Sequence, residues 1–387
     1  MRAIRNLIAL TFWLVTAEAC AQDNSPRTQP YASIDRAAIN YSGPDREASR
    51  DLGGPEIKIG LIAPLQGARK LEGDALVAAA QMAIEDESAS PLADGQHLAL
   101  VARDETGLWG RASSEIVKLV VEDRAVALVT SSDGRAAHLS EQVGNRLGVP
   151  VVTLATDATT TQINIPWLFR IVANDAVQAR EFAENIYRGR AFRRVLLISE
   201  SDHDGRAGAE EFEKAAQRLR APAPMRIAIA LPLEDTVPIM NKIRVLEPQA
   251  LVLWTSAVTA THLLEGISGA RGEIYLCRKA LEEPFLSVAR GKRNIWTVAP
   301  AVASAGSERA AFIDRFRART GSAPSLAAAE VYDAVRLIAQ GLRQSGPNRA
   351  RLRDALATRT EYHGVSGIIA FDGAGNNRAE VSLVQLQ

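Results

Sequence analysis

Short apolar runs alternating with stretches of helical spacing constrain this chain more than any other feature. Residues 57–62, 97–102, 125–130, 149–154, 195–199 and 250–254 form short, largely apolar segments. Each of the first three is followed by apolar positions three or four apart: Leu76, Ala80 and Ala83 with Glu87; Ile116, Leu119 and Val120; Leu139, Val143 and Leu147. The same beat returns in Phe212, Ala215 and Leu219, in Leu263 and Leu264, in Phe312 and Phe316, and in Val331, Val335, Ile338 and Leu342. Continuous apolar strands separated by amphipathic helices specify parallel sheets covered on both faces. The chain end differs: 368–371, a turn at 372–377 and a run at 381–386 read as a hairpin.

Length and composition narrow the class further. A chain of 387 residues is long enough for two lobes of ordinary domain size. With 47% apolar and 23% charged residues it is neither disordered nor a coiled coil. Lys+Arg and Asp+Glu both number 45, so no basic surplus marks a nucleic-acid footprint. Two cysteines make neither a disulfide scaffold nor a zinc cluster.

Residues 1–21 carry Arg2 and Arg5, an apolar core from Leu7 to Val15, and small residues at the end, as a secretory signal peptide does. That core is far shorter than the ~20 residues of a membrane span. Small-x-small cleavage sites follow Ala19 and Ala21, and Cys20 offers a lipid anchor ranked below simple release because Glu18 spoils the lipoprotein box. Losing Arg2, Arg5 and Glu18 takes 45 charges of each sign to 43 basic and 44 acidic. Cys277 then stands alone, and its apolar neighbours Ile274, Tyr275 and Leu276 point to a buried, inert side chain. Residues 22–56 are polar, aperiodic and broken by Pro26, Pro30, Pro44 and Pro55, the pattern of an arm or linker.

In open α/β sheets, ligands bind where strand ends lead into helix starts. Three such ends stand out. After 125–130 come Ser131, Ser132, Asp133 and Gly134, suited to a carboxylate or to an ordinary helix cap. After 149–154 come Ala155, Thr156 and Asp157, beside the first cluster if the strands are neighbours. After 195–199 come Asp202, His203 and Asp204, an acidic loop suited to an ammonium or simply to solvent. Catalytic and metal readings find little support. The five histidines form no HxxxH or HExxH, three consecutive residues such as 202–204 rarely converge on one ion, and no GxSxG or P-loop is present. No cofactor is expected. Trp109 stacks on a ligand or packs on its own domain.

Residues 57–62 followed by Ala63-Pro64-Leu65-Gln66-Gly67 resemble the strand and "PLTG" opening of type I periplasmic binding proteins, the substrate-binding components of branched-chain amino acid ABC importers. Further blocks keep that family's order: Arg103-Asp104-Glu105; Gly148-Val149-Pro150-Val151-Val152 leading to Pro166-Trp167-Leu168-Phe169-Arg170; Phe312, Arg315, Phe316, Gly321 and Pro324 before Tyr332-Asp333-Ala334-Val335; and Gly364-Val365-Ser366-Gly367 before Phe371-Asp372 and Gly375-Asn376. The resemblance runs from about residue 57 to the end.

The resemblance implies an α/β fold of two Rossmann-like lobes, parallel sheets flanked by helices, joined by a three-crossover hinge. Lobe 1 would hold 57–171 and 301–345, and lobe 2 172–300 and 346–387. By the family's pattern, Ser131 or Ser132 and Ala155 to Asp157 would hold the ligand's carboxylate and ammonium. Lobe 2 departs from it. Asp204-Gly205 stands where the family has Tyr-Gly, and Thr255-Ser256 stands where an acidic residue is usual, leaving Asp202, Asp204 or Glu282 as substitutes. The expectation is a periplasmic, non-enzymatic solute-binding protein of an ABC importer, holding an amino acid or related amide or carboxylate and presenting it to an inner-membrane permease. The alternative keeps the fold as a periplasmic sensor or accessory protein that engages a partner protein.

Overall fold

The computed structural model describes residues 52–89, 92, 95–162, 166–267, 272–292, 294–300 and 306–386. The expected signal peptide, Cys20 and the arm as far as residue 51 lie outside the described residues.

The first half alternates as its sequence pattern requires: β1 (Glu56–Ala63), α1 (Lys70–Ser88), β2 (His97–Asp104), α2 (Trp109–Val121), β3 (Ala127–Thr130), α3 (Gly134–Leu147), β4 (Val151–Thr153) and β5 (Leu168–Arg170). These five strands form one parallel sheet in the order β2-β1-β3-β4-β5. The second half repeats the scheme with α4 (Asp175–Ala183), β6 (Val195–Glu200), α5 (His203–Arg218), β7 (Met225–Ile229), α6 (Val237–Leu246), β8 (Ala250–Trp254), α7 (Ala257–Gly266), β9 (Glu273–Leu276), α8 (Phe285–Ala289) and β10 (Ile295–Pro300). After α9 (Ser307–Thr320), α10 (Leu326–Ser345) and α11 (Arg349–Ala357) come the two-residue strands β11 (Tyr362–His363) and β12 (Ile368–Ile369), then β13 (Val381–Gln385). The second sheet runs β13-β10-β9-β8-β6-β7, parallel except where β13 meets β10.

The period of two along each strand explains the four cores. Ile57, Ile59, Leu61 and Ala63 of β1 share a core with α1 and α10, whereas Ile62 points to the core under α2 and α3. In β8, Leu251 and Leu253 face α7, and Val252 and Trp254 face α4 and α5. Burying each large aliphatic side chain contributes about 1.5–3 kcal/mol, so both faces of both sheets reward the alternation.

α10 is buried along nearly its whole length and packs on α1. The expected hairpin does not form. β12 pairs with β11, and β13 pairs antiparallel with β10. Only Phe371 and Asn377 bridge across the turn, where Asp372 Oδ1 accepts from the amides of Ala374 and Asn376. Residues 349–377 pack on the first sheet instead. Arg349 donates to the carbonyls of Ala125 and Val120, Asp333 accepts from the amides of Val365 and Ser366, and Arg170 N bonds Gly375 O at 2.7 Å. The chain therefore reaches the second sheet with β13, not directly after α10. Among the described residues no helix is long and apolar enough to cross a membrane.

Candidate functional site

The loops that follow β3 and β4 meet the loop that follows β6, and the loop after β9 packs against that one. Thr130 and Thr153 are register partners at the ends of β3 and β4, with hydroxyls 2.7 Å apart, so the two polar clusters are side by side. Ser131 is fully buried; its Oγ reaches both oxygens of Glu105, at 2.9 and 2.6 Å, and accepts from Asp133 N at 3.1 Å. Ser132 is half-buried beside it. Glu105 also accepts from Arg69 Nη1 at 3.2 Å, and Arg69 holds Glu72 at 2.6 Å. Burial pushes Glu105 up to about 8 against the pull of Arg69.

Asp133, rather than either serine, caps α3 by accepting from Ala136 N at 2.9 Å. Ala155 and Thr156 offer their carbonyls to Arg170 Nε at 2.9 Å and Asp175 N at 2.8 Å. Asp157 Oδ1 accepts from Thr159 N and Oγ1 at 2.9 and 2.7 Å. Its Oδ2 accepts from His138 Nε2 at 2.9 Å and from His203 Nε2 at 2.7 Å. Burial opposes its charge, yet these donors hold the Asp157 carboxyl well below the usual range. The bonds to Asp157 and Glu141 raise His138 to about 9.

From the second sheet, Asp202 caps α5 through Gly205 N at 2.8 Å. Asp204 Oδ2 accepts from Lys279 Nζ at 2.9 Å and from Gly134 N, at the start of α3, at 3.4 Å. Lys279, a cation of the chain itself, thus lies against this acidic loop. Asp204 Oδ1 and Thr255 Oγ1 are buried with no hydrogen-bond partner among the described residues. Ser256 caps α7 and donates to Glu200 at 2.6 Å. Glu282 reaches the Ser325 hydroxyl and Ala327 amide at the start of α10, and burial pushes it up to about 7. Arg278 pairs with Glu330 of α10. Two lobe 1 helix starts are therefore met by carboxylates from the second sheet, Asp204 at α3 and Glu282 at α10.

The structure brings Ser131, Asp157, Asp202 and Asp204 into one charged seam and gives Asp202 and Ser256 capping roles within their own helices. Sequence reading missed Arg69, Glu105, His138 and Lys279 as members of that seam. A family motif contained Glu105; nothing in local spacing singled out the others. Trp109 is 53% exposed at the start of α2. Cys277 is buried, bonded to Thr255 O at 3.5 Å, its thiol pushed up to about 12 by burial. That makes it an unreactive thiol.

A family model described as periplasmic binding protein matches residues 56–387. The chain belongs to the periplasmic binding protein family. Solved structures of similar fold include the branched-chain amino acid transporter substrate-binding protein LivJ of Streptococcus pneumoniae, in complex with isoleucine. It is 21% identical over 85% of this chain and 99% of its own, with a TM-score of 0.74. A solute-binding protein of an R. palustris ABC transporter, in complex with benzoate, is 18% identical over 86% and 93%, with a TM-score of 0.75. One from Rhodopseudomonas palustris BisB5, in complex with 3,4-dihydroxybenzoic acid, is 15% identical over 85% and 93%, with a TM-score of 0.73. Among curated proteins none matches. The fold of this binding protein is the type I architecture of two lobes, and its strand-end loops form the facing edges.

Proposed function

We propose that this protein is a periplasmic solute-binding protein of an ABC importer, taking an amino acid or a related amide or carboxylate between its lobes without chemistry. One observation carries the ligand class: Asp204 Oδ2 lies 3.4 Å from Gly134 N, so a carboxylate already faces the positive end of the α3 dipole. A solute carboxylate would take that place, beside Ser131 and Ser132, with Ala155, Thr156 and Asp157 on its flank. Asp202, Asp204, Thr255 and Ser256 would close over it from the second lobe. The unpartnered Asp204 Oδ1 and Thr255 Oγ1 are the free acceptor and hydroxyl that a polar solute can satisfy. In this reading lobe 1 also includes residues 349–377, which pack on the first sheet, and the signal peptide is cleaved on export to a permease partner.

A specific observation favours the alternative as well. Asp157–His203 and Arg278–Glu330 join the lobes through the chain's own charges, which suits a sensor or accessory protein whose closed form engages a partner protein. A thermal-shift panel of amino acids, amides, short carboxylates and aromatic acids separates the two. Solute at about 100 times its dissociation constant adds about 2.7 kcal/mol of stability, a clear rise in Tm. A hit that Ser132→Ala with Thr156→Ala weakens at least tenfold supports transport; a flat panel from folded protein favours the partner reading.

A further inference from the structure

We propose that His138, Asp157 and His203 form a divalent transition-metal site that pins the two lobes together, a property beyond solute binding. The three donor atoms lie within 4.8 Å of one another. His138 stands on α3 and Asp157 after β4, both in the first lobe, whereas His203 opens α5 in the second. Two imidazole nitrogens and one carboxylate are the donor set of zinc, cobalt or nickel rather than of the oxygen-seeking magnesium or calcium.

Local structure prepares each ligand. Asp157 Oδ1 is fixed by Thr159, which leaves Oδ2 facing both rings, 2.9 Å from His138 Nε2 and 2.7 Å from His203 Nε2. The rings meet edge to face with centroids 5.5 Å apart; both Nε2 atoms face Oδ2, and that of His138 also lies 3.0 Å from Thr159 Oγ1. Tetrahedral bonds of about 2.0–2.1 Å separate donor atoms by roughly 3.3 Å, so each gap to Oδ2 need widen only slightly.

Behind His138, Nδ1 points at Glu141 Oε2, 3.6 Å away. Glu141 is 1% exposed, and its Oε1 is buried without a hydrogen-bond partner among the described residues. A carboxylate behind a ligating imidazole is what orients metal-binding histidines and fixes their tautomer. When the metal takes the two Nε2 lone pairs, each neutral ring carries its single proton on Nδ1, moved there from Nε2 where necessary, and any second proton leaves to solvent. The His203 side chain is 39% exposed, which gives the ion an entry path and leaves a fourth position for water. Because the ligands come from both lobes, the ion binds the closed arrangement and enlarges its population.

The test uses the full, tag-free protein, stripped with chelator and titrated with zinc by calorimetry and with cobalt by visible absorption. The expected result is one equivalent per chain, a tetrahedral cobalt spectrum, and slower hydrogen exchange in the loops at 131–138 and 202–205. His203→Ala and His138→Gln should each weaken binding by at least the roughly 10–100-fold that loss of an outer-shell partner costs. His262→Ala, on the exposed face of α7, should leave it unchanged. Undiminished affinity in His203→Ala, or no stoichiometric binding by protein whose circular dichroism is native, overturns the proposal. No solute enters these titrations, so a flat solute panel leaves their outcome unaffected.

Discussion

Arg170 shows what one buried side chain organises. It is 0% exposed at the end of β5, with Nε on Ala155 O at 2.9 Å, Nη1 on Asn376 Oδ1 at 2.8 Å, and Nη2 on Asp157 O and Thr160 Oγ1. One guanidinium thus holds the loop that carries three proposed solute-binding residues and ties it to the turn at 372–377. Burial lowers its pKa to about 10, so it stays charged at neutral pH. Arg170→Met should cost about 2–4 kcal/mol in a urea melt, because it leaves buried carbonyls and hydroxyls without a donor. Arg170→Lys should recover little of that, since an ammonium cannot reproduce the planar fork. A loss under about 0.5 kcal/mol for the methionine variant would count against this account. The sequence displayed Arg170 only as the end of a familiar motif. Its partners lie up to 206 positions away, and no local pattern encodes such a pairing.

At the scale of elements, α1, α9 and α10 are joined by a charged staple. Asp86 of α1 accepts from Arg315 of α9 at 2.5 and 2.6 Å and from Tyr332 of α10 at 2.5 Å. The Arg315 hydrogen bonds, with that of Tyr332, hold the Asp86 carboxyl below its usual range. A carboxylate depressed in the folded state adds stability above its unfolded pKa of about 4 and loses it as pH falls through the lower folded value. Asp86→Asn should therefore lose about 1 kcal/mol at pH 7, a small figure because the pair is partly exposed, and show a flatter acid limb below about pH 4. Parallel acid limbs in the two proteins would remove Asp86 from the explanation. The helices and strands themselves were legible, because continuous apolar runs and three-to-four spacing report burial directly. The chain end was not. Residues 368–371 and 381–386 look like paired strands, but the bonds of Asp372 and Asn377 close the turn on itself, and the free edge of β10 pairs with β13 instead.

Across the whole molecule, lobe contact depends on a missing side chain. A Cβ at Gly134 would overlap Asp204 Oδ1 and press on Asp157 Cβ at 3.3 Å. Gly134→Ala should leave both sheets intact yet open the lobes, because the overlap costs about 1–3 kcal/mol, enough to shift closure roughly tenfold. Small-angle scattering should then give a larger radius of gyration for the variant than for the parent; equal radii would show that closure tolerates the methyl group. Strand-end clusters at Ser131, Asp157 and Asp204 could be found in the sequence because topology places such ends together. That Asp204 faces Gly134 and His203 faces Asp157 could not, since those contacts depend on how one lobe sits on the other.

The antiparallel strand β13 has a consequence for how the chain is made. It follows every other described element in sequence, yet it covers the edge of β10. From the synthesis of β10 until β13 arrives, a ribosome-bound chain carries an unpaired strand edge, the template on which chains aggregate. The second sheet is thus completed only when the last described strand has been made.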